Sequence, residues 1–128
     1  MRLLLDTHVL LWTIAESRRL SAAARALIGE PDNELTFSSV SLWELAIKAG
    51  RGRDDFRIDV SSLRRSLFDN EYGELPITGA HAVALGRLPP LHRDPYDRML
   101  VAQAIVEGLT LVTSDSAVAQ YPGPIRLV

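Results

Sequence analysis

Residues 1–12, MRLLLDTHVLLW, decide how the rest of the chain is interpreted. The leucines at 3–5 form an apolar run that is too short for anything but a buried strand. The run ends at Asp6, and a second apolar set at 9–12 predicts the start of a helix. Asp6 therefore lies where a strand ends and a helix begins. In an open parallel α/β sheet, ligands bind at that edge.

The size and composition of the chain fit one cytoplasmic domain. With 128 residues and a mass of 14.1 kDa, the chain is expected to form a single domain over 1–128. The absence of cysteine excludes disulfides and thiolate metal sites, and it fits a reducing compartment. Because Asp6 and His8 interrupt the first apolar stretch, it is too short for a signal peptide or a membrane span. We therefore expect a cytoplasmic protein that makes no membrane contact.

Strands alternate with helices along the chain. The predicted strands cover 2–5, 35–39, 74–77, 109–113 and 125–128. The predicted helices cover 8–16, 20–28, 41–49, 61–71, 79–88, 94–107 and 115–119, and a polar loop is expected at 51–55. The alternation predicts an α/β fold, a three-layer α/β/α sandwich with a mostly parallel sheet of four to five strands.

Four carboxylic acids occupy matching places in this pattern. Asp6 follows the first strand, and Asp115 follows the fourth. Glu44 lies in the first turn of the helix after the second strand. Because parallel strands share one carboxyl edge, these three acids are expected to gather there. Asp97, in the first turn of the helix before the fourth strand, joins them if its helix begins near the same edge.

Each acid also has a purely structural explanation. Asp6 and Asp115 fit the N-cap positions of helices. Residues 41–44, SLWE, fit a capping box, and Glu44 can also pair with Lys48 one turn further on. Together, however, three or four neighbouring carboxylates repel one another, which raises their pKa values or requires a cation. Removing one of them, such as Asp115, is therefore expected to stabilise the metal-free protein.

The helix over 94–107 begins with two aspartates that we assign to different roles. Asp94 precedes Pro95, and because proline favours the first helical position, Asp94 is the predicted N-cap. Asp97 shares a helical face with Val101 and Ile105, a face that we expect to pack on the sheet. We therefore assign Asp97 to catalysis and Asp94 to a supporting role.

The predicted acidic site suits a hard divalent cation. Oxygen ligands without cysteine favour Mg²⁺ or Mn²⁺, with Asp6, Asp97 and Asp115 as the assigned ligands. Such a site activates water and stabilises the leaving oxygen of a phosphodiester. Ser39, at the end of the second strand, is placed to hydrogen-bond a water on the metal.

Four ordered motifs resemble those of PIN-domain ribonucleases, above all the VapC toxins of type II toxin–antitoxin pairs: MRLLLDTHVLLW, SSVSLWELAIK, HRDPYDRMLVAQA and LVTSD. The resemblance covers essentially the whole chain. It implies a Mg²⁺- or Mn²⁺-dependent endoribonuclease that acts as a toxin and is inhibited by a VapB-type antitoxin. The family's catalytic quartet corresponds to Asp6, Glu44, Asp97 and Asp115. Thr113 matches the polar residue before the last acid, and Ser114 stands where Asn or Arg is more usual.

Contacts with RNA are less clearly indicated. The net charge is −2 at pH 7, which is not typical of a nucleic-acid binder. Arg93, Arg98 and His8 flank the acids and are candidate RNA contacts, although surface ion pairs explain the arginines equally well. His81 and His92 lack the spacing of metal ligands and are assigned no role.

Several apolar residues exceed what one small core face needs, and they predict a homodimer with an antitoxin segment lying over apolar surface near the active edge. They are Leu10, Leu11, Trp12, Leu42, Trp43 and Leu45.

Other functions fit the sequence less well. A haloacid-type phosphatase needs a second Asp where His8 stands and a lysine late in the chain, whereas the one lysine is Lys48. A phosphoacceptor receiver domain needs an acidic pair after the first strand, where Asp6 stands alone. A catalytically silent PIN-like RNA-binding or regulatory protein is the remaining alternative. Such a protein is expected to have lost an acid of the quartet.

Overall fold

The computed structural model describes residues 1–49 and 58–128, so the predicted loop at 51–55 lies outside the described residues. The described strands are β1 (Arg2–Leu5), β2 (Glu34–Ser38), β3 (Gly73–Leu75), β4 (Thr110–Thr113) and β5 (Ile125–Leu127). The described helices are α1 (Thr7–Ile14), α2 (Ala22–Gly29), α3 (Ser39–Ala49), α4 (Val60–Asp69), α5 (Gly79–Gly86) and α6 (Pro95–Glu107). None of these helices is long and apolar enough to cross a membrane.

The five described strands form one sheet in the order β3-β2-β1-β4-β5, and every neighbouring pair is parallel. The chain runs outward from β1 in one direction through β2 and β3, and in the other direction through β4 and β5. The order therefore reverses between β1 and β4. At such a switch point, the loops leaving two adjacent strands diverge and open a crevice at the carboxyl edge. The predicted α/β class is confirmed, and the sheet is entirely parallel.

Burial on both faces of the sheet explains why β1 is an uninterrupted run of leucine. Leu3 and Leu5 belong to one core cluster, which also contains side chains of α1, α2 and α4. Leu4 points to the opposite face and belongs to a second cluster, built largely by α6 and β4. A central parallel strand that is covered by helices on both sides has no polar face.

The start of α3 differs from the prediction. The helix begins at Ser39, and Ser38 Oγ accepts a hydrogen bond from the amide of Val40 at 3.0 Å. Ser41 therefore lies inside the helix, and the predicted capping box at 41–44 is wrong. The Ser41 hydroxyl instead accepts a hydrogen bond from Thr7 Oγ1 at 2.9 Å.

The predicted capping of α6 is confirmed. Asp94 Oδ1 accepts hydrogen bonds from the amides of Tyr96 and Asp97 at 2.8 and 3.3 Å. The helix ends at Gly108, whose φ of +67° suits a residue without a side chain. Ile105, however, is 41% exposed, so its predicted packing on the sheet is wrong. The buried residues of α6 are instead the five consecutive positions 100–104.

Most of the apolar residues that predicted a homodimer belong to the chain's own core. Leu10 and Leu45 are fully buried, and Leu11, Trp12 and Leu42 pack against the same cluster. Trp43 differs from these because it is 52% exposed. The sequence pattern overestimated the apolar surface because α1 and α3 are covered along more than one face.

Candidate active site at the carboxyl edge of the sheet

Asp6 is held rigidly at the end of β1. One carboxylate oxygen accepts a hydrogen bond from the amide of Val9 at 2.8 Å and caps α1. The other accepts a hydrogen bond from Thr113 Oγ1 at the end of β4. Burial raises the pKa of Asp6, and the charge of Asp115 adds to this, while the hydrogen bonds from Thr113 and Val9 oppose it. The capping explanation is therefore correct, and the buried carboxylate also makes a contact across to the end of β4.

Asp97 joins the other acids, which the sequence alone left open. Burial is the main reason that its pKa is raised to about 7, and the charges of Asp94, Asp6 and Glu44 raise it further. His92 acts in the opposite direction. The carboxylates from β1, α3 and α6 thus lie close enough to repel one another.

Glu44 supplies a buried oxygen that has no protein partner. The side chain of Glu44 forms the predicted pair with Lys48 through Oε2. Its Oε1 is buried and makes no hydrogen bond among the described residues. Leaving a charged oxygen unsatisfied in the interior is costly, and a water or a cation would relieve that cost.

Asp115 lies in the turn that follows β4. Burial, the largest single influence, raises its pKa, but hydrogen bonds from the Ala117 amide, His92 and the Val118 amide outweigh it, so the pKa of Asp115 is lowered. The Ala117 amide donates to Oδ1 at 2.8 Å, and Oδ2 lies 3.3 Å from His92 Nε2. The pKa of Asp115 is thus shifted in the opposite direction to that of Asp97.

His92 is a residue of this site that the sequence analysis missed. Its Nε2 lies 3.2 Å from Asp97 Oδ2 and 3.3 Å from Asp115 Oδ2. One potential ligand atom from each of these three residues lies within 4.8 Å of the others. No linear spacing indicates this, because the loop between α5 and α6 brings His92 to a residue 23 positions further along the chain. The available signal was its position two residues before the Asp94 cap.

Three other residues that the sequence assigned to the site, Ser39, Arg93 and His8, differ in how far they are buried. Ser39 is the first residue of α3 and is partly buried, while the neighbouring Ser38 makes the buried hydrogen bonds. Arg93 is exposed. His8 is also exposed, and its ring stacks on Trp12 with 5.9 Å between the ring centroids.

Arg98 does not join the acids. Its Nη2 donates to the carbonyl oxygens of Leu85 and Leu88 at 3.5 and 3.4 Å. These carbonyls lie at the end of α5, where a cation is favoured by the helix dipole. The Nη2 group is thus engaged in joining α6 to α5, and the assignment of Arg98 as an RNA contact stays a prediction.

Polar and aromatic contacts tie together the helices that carry the acids. The buried Thr7–Ser41 hydrogen bond joins α1 to α3. Ser38 Oγ donates to Gln103 Oε1 at 2.6 Å and joins the end of β2 to α6. The rings of Trp43 and Tyr96, which are the sequence neighbours of Glu44 and Asp97, meet edge to face at 5.1 Å between centroids.

The donor set fits a divalent cation. Carboxylates after β1, in α3 and α6, and in the turn after β4 lie near one another, one buried oxygen of Glu44 has no partner among the described residues, and the chain has no thiolate. Oxygen-rich sites of this kind favour Mg²⁺ or Mn²⁺ over soft metals.

Comparison with known families agrees with this geometry. The model of the PIN domain matches residues 3–124. The chain belongs to the PIN-domain family. Ribonuclease VapC22 of Mycobacterium tuberculosis is 39% identical over 128 residues, which cover 97% of this chain and 96% of that protein. The resemblance found in the sequence motifs is therefore confirmed across essentially the whole chain.

Solved structures show the same PIN-domain fold at low sequence identity. VapBC2 from Rickettsia felis, bound to a DNA fragment from its promoter, matches with a TM-score of 0.71 and 18% identity, covering 99% of this chain and 98% of that chain. A toxin–antitoxin complex from Klebsiella pneumoniae matches with a TM-score of 0.63 and 19% identity, over 96% and 94%. VapBC-1 from nontypeable Haemophilus influenzae matches with a TM-score of 0.62 and 16% identity, over 94% and 91%.

Proposed function

We propose that this PIN-domain protein is a metal-dependent endoribonuclease that cleaves RNA phosphodiester bonds and serves as the toxin of a VapBC-type toxin–antitoxin pair. The observation that carries the proposal is the proximity of four carboxylates at the switch point of the sheet: Asp97 is near Asp6 and Glu44, which help to raise its pKa to about 7, and Asp115 lies beside Asp97 and His92. The 39% identity to a protein named Ribonuclease VapC22 supports RNA as the substrate. The fold neighbours, which include VapBC complexes, support an antitoxin as the partner.

The proposed ligands of Mg²⁺ or Mn²⁺ are Asp6, Asp97 and Asp115. A cation bound there supplies Lewis-acid stabilisation of the phosphate and a water of lowered pKa. Asp6 is fixed by the Val9 amide and by Thr113, so its orientation costs little entropy on binding. Asp94 fixes the start of α6 and thereby the position of Asp97.

Glu44 is proposed to orient the attacking water. Lys48 holds Oε2, so the carboxylate cannot turn freely, and Oε1 remains to accept a hydrogen bond from the water. A carboxylate in this position also receives the proton that the water loses on attack. Ser39 lies at the start of the same helix and is proposed to complete the hydrogen bonds around this water.

Substrate contacts are proposed at the exposed rim of the site. Arg93 directly precedes the cap of α6 and is exposed, so it is placed to bind a phosphate. His8 is exposed in the first turn of α1, close to Asp6, and its ring, which stacks on Trp12 on one side, is proposed to contact a base or a phosphate. Arg98 supports the site through its contacts with α5.

The proposal is tested by RNA cleavage with Mg²⁺ or Mn²⁺, with and without EDTA. Asp6→Asn should abolish cleavage while leaving the fold intact, because Asn caps a helix as well as Asp does. Asp69→Asn is the matched control, since Asp69 is an exposed aspartate at the end of α4. Full activity in EDTA would contradict the metal role. RNA binding without cleavage in saturating Mn²⁺ would favour the catalytically silent alternative.

A homodimer and the bound antitoxin belong to the same proposal. The antitoxin is proposed to lie over apolar surface near the acids and to place a charged side chain among them. When the protein is co-expressed and purified with its cognate antitoxin, the complex should not cleave RNA in vitro. The Asp6→Asn variant should still bind the antitoxin. Unchanged cleavage in a purified stoichiometric complex would contradict the inhibitory role.

A further inference from the structure

His92 lies beside two of the four acids, yet its hydrogen bonds distinguish it from a metal ligand. The ring is partly buried in the loop between α5 and α6, and Nε2 faces both Asp97 Oδ2 and Asp115 Oδ2 at 3.2 and 3.3 Å. On distance alone, the three residues resemble a histidine–aspartate–aspartate metal site. The hydrogen bond made by the other ring nitrogen, Nδ1, shows whether Nε2 can bind a metal or instead donates a proton to the carboxylates.

The backbone fixes the tautomer of His92. The amide of Asp94 donates a hydrogen bond to His92 Nδ1 at 3.2 Å, so this nitrogen carries a lone pair and no proton. A neutral imidazole has one protonated nitrogen, which must then be Nε2. Nε2–H therefore donates to the carboxylates. An Nε2 lone pair directed at a metal would require a proton on Nδ1, and that proton would point at the Asp94 N–H.

The main chain at His92 is anchored to the core. Its amide donates to Tyr121 Oη at 2.9 Å, and the same hydroxyl approaches the His92 carbonyl oxygen at 3.5 Å. Tyr121 is 3% exposed and belongs to the core cluster around α6. The position of the ring is thus set from the Tyr121 side and its orientation from the Asp94 side.

We propose that His92 is a positioning residue, which donates its Nε2 proton to Asp97 and Asp115 and holds both carboxylates in place for a divalent cation without binding the cation itself. The inference rests on the proposed function, because it assumes that these two aspartates are metal ligands. An N–H between two like-charged groups lowers their repulsion and restricts their rotation. Removing such a partner of metal-ligating carboxylates typically weakens metal binding by about 10–100-fold.

Two substitutions separate donation from mere space filling. His92→Gln retains an N–H donor at about the reach of Nε2, whereas His92→Leu fills the space without a donor. Calorimetric titration with Mn²⁺ should show a dissociation constant about 10–100-fold weaker for His92→Leu. It should be close to wild type for His92→Gln. Asp69→Asn is the control and should bind as wild type does.

The tautomer is read independently by nitrogen NMR of His92 in the intact protein. The signal of Nε2 should be that of a protonated ring nitrogen, both before and after saturation with diamagnetic Mg²⁺. A change to an unprotonated Nε2 on adding Mg²⁺ would show direct ligation and overturn the proposal. Wild-type Mn²⁺ affinity in His92→Leu would overturn it as well, and if that variant does not fold, the NMR result decides.

These readouts do not depend on RNA cleavage. Loss of Mn²⁺ affinity in His92→Leu, together with absence of cleavage in the wild-type protein, would support the role of His92 and contradict the proposed function. Cleavage by the wild-type protein, together with unchanged metal affinity in His92→Leu, would support the proposed function and contradict the role of His92. Absence of Mn²⁺ binding by the wild-type protein would contradict both.

Discussion

At the scale of single residues, four acids of similar appearance in the sequence have different electrostatic surroundings. Asp97 is partly buried and lies near the charges of Asp94, Asp6 and Glu44, so its pKa is raised to about 7. Asp115 is more exposed and accepts amide and imidazole hydrogen bonds, and its pKa is lowered. The sequence-based expectation is that removing Asp115 stabilises the metal-free protein; from these opposite pKa shifts we expect that effect at Asp97 instead.

The first prediction concerns the pH dependence of stability in EDTA. Because the pKa of Asp97 is higher in the folded protein than in the unfolded chain, its contribution to the free energy of unfolding is full below about pH 4 and is lost as the pH rises towards 7. Each unit of raised pKa corresponds to about 1.4 kcal/mol. Asp97→Asn should remove this loss and melt higher than wild type at pH 8, as measured by thermal unfolding.

A matched variant gives the opposite sign. The lowered pKa of Asp115 contributes stability at neutral pH that is lost on acidification, so Asp115→Asn should melt lower than wild type in EDTA at pH 8. Saturating Mg²⁺ should reverse the order of Asp97→Asn and wild type, because the cation stabilises the ionised form. Equal melting temperatures of all three proteins in EDTA would show that the carboxylates do not interact.

The second prediction separates Asp94 from Asp97 in catalysis. Asp94→Ala removes the cap of α6, so the free energy of unfolding should fall by about 1 kcal/mol while measurable cleavage is retained. Asp97→Asn should lose most cleavage activity and remain folded. Asp94→Asn keeps the cap and serves as the control in urea unfolding. If Asp94→Asn were inactive and Asp97→Asn active, Asp94 would be the catalytic residue and the assignment of Asp97 to catalysis would be wrong.

At the scale of elements, the site depends on how α3 and α6 are fixed to the sheet. The helix α3 continues directly from β2 and so brings Glu44 to the edge, whereas Asp97 lies at the start of α6, the end of that helix that is farther along the chain from β4. Gln103 makes one of the connections: its Oε1 accepts from Ser38 Oγ at 2.6 Å, and its Nε2 donates to the Pro76 carbonyl oxygen at 3.4 Å. These hydrogen bonds of Gln103 thus fix the position of α6 along the sheet.

The third prediction tests this connection. Ser38→Ala should lower the free energy of unfolding by about 1–3 kcal/mol, because it leaves the buried Gln103 Oε1 without its donor. The combined Ser38→Ala/Gln103→Leu variant should be less destabilised than the sum of the two single variants. Ser62→Ala in α4, where the hydroxyl is exposed, is the comparison in urea unfolding. Additive losses in the double-mutant cycle would exclude coupling between these residues.

At the scale of the whole molecule, one exposed aromatic side chain remains from the apolar set that predicted a homodimer. Trp43 is 52% exposed on α3, next to Glu44, while its ring edge packs against Tyr96. Large exposed aromatic side chains are enriched at protein interfaces. An interface at this position would lie beside the acidic site.

The fourth prediction concerns assembly. Sedimentation at micromolar concentration should show a dimer for the wild-type protein and a monomer for Trp43→Glu, since the substitution places a charge in the interface. Phe68→Glu is a control on a different helix, where an aromatic residue of similar exposure packs against β2. A wild-type monomer, or a dimer that persists in Trp43→Glu, would contradict this interface.

The sequence by itself determined the α/β class, the order of most elements and the place of three acids. These follow from local rules: apolar runs and helical periodicity mark the elements, and parallel strands share one carboxyl edge. The Asp94 cap was equally local, because an aspartate before a proline constrains only the next turn. The cap of α1 is of the same kind, since one oxygen of Asp6 accepts from the Val9 amide while the other accepts from Thr113.

Only the tertiary structure decided which side chains meet across elements. It brought Asp97 near Asp6 and Glu44, placed His92 beside Asp115, and engaged Arg98 with the end of α5. It also set the strand order and divided the apolar residues between core and surface. These contacts join positions far apart in the chain, and they depend on how helices pack on a twisted sheet. Residue spacing along the sequence carries no information about that packing.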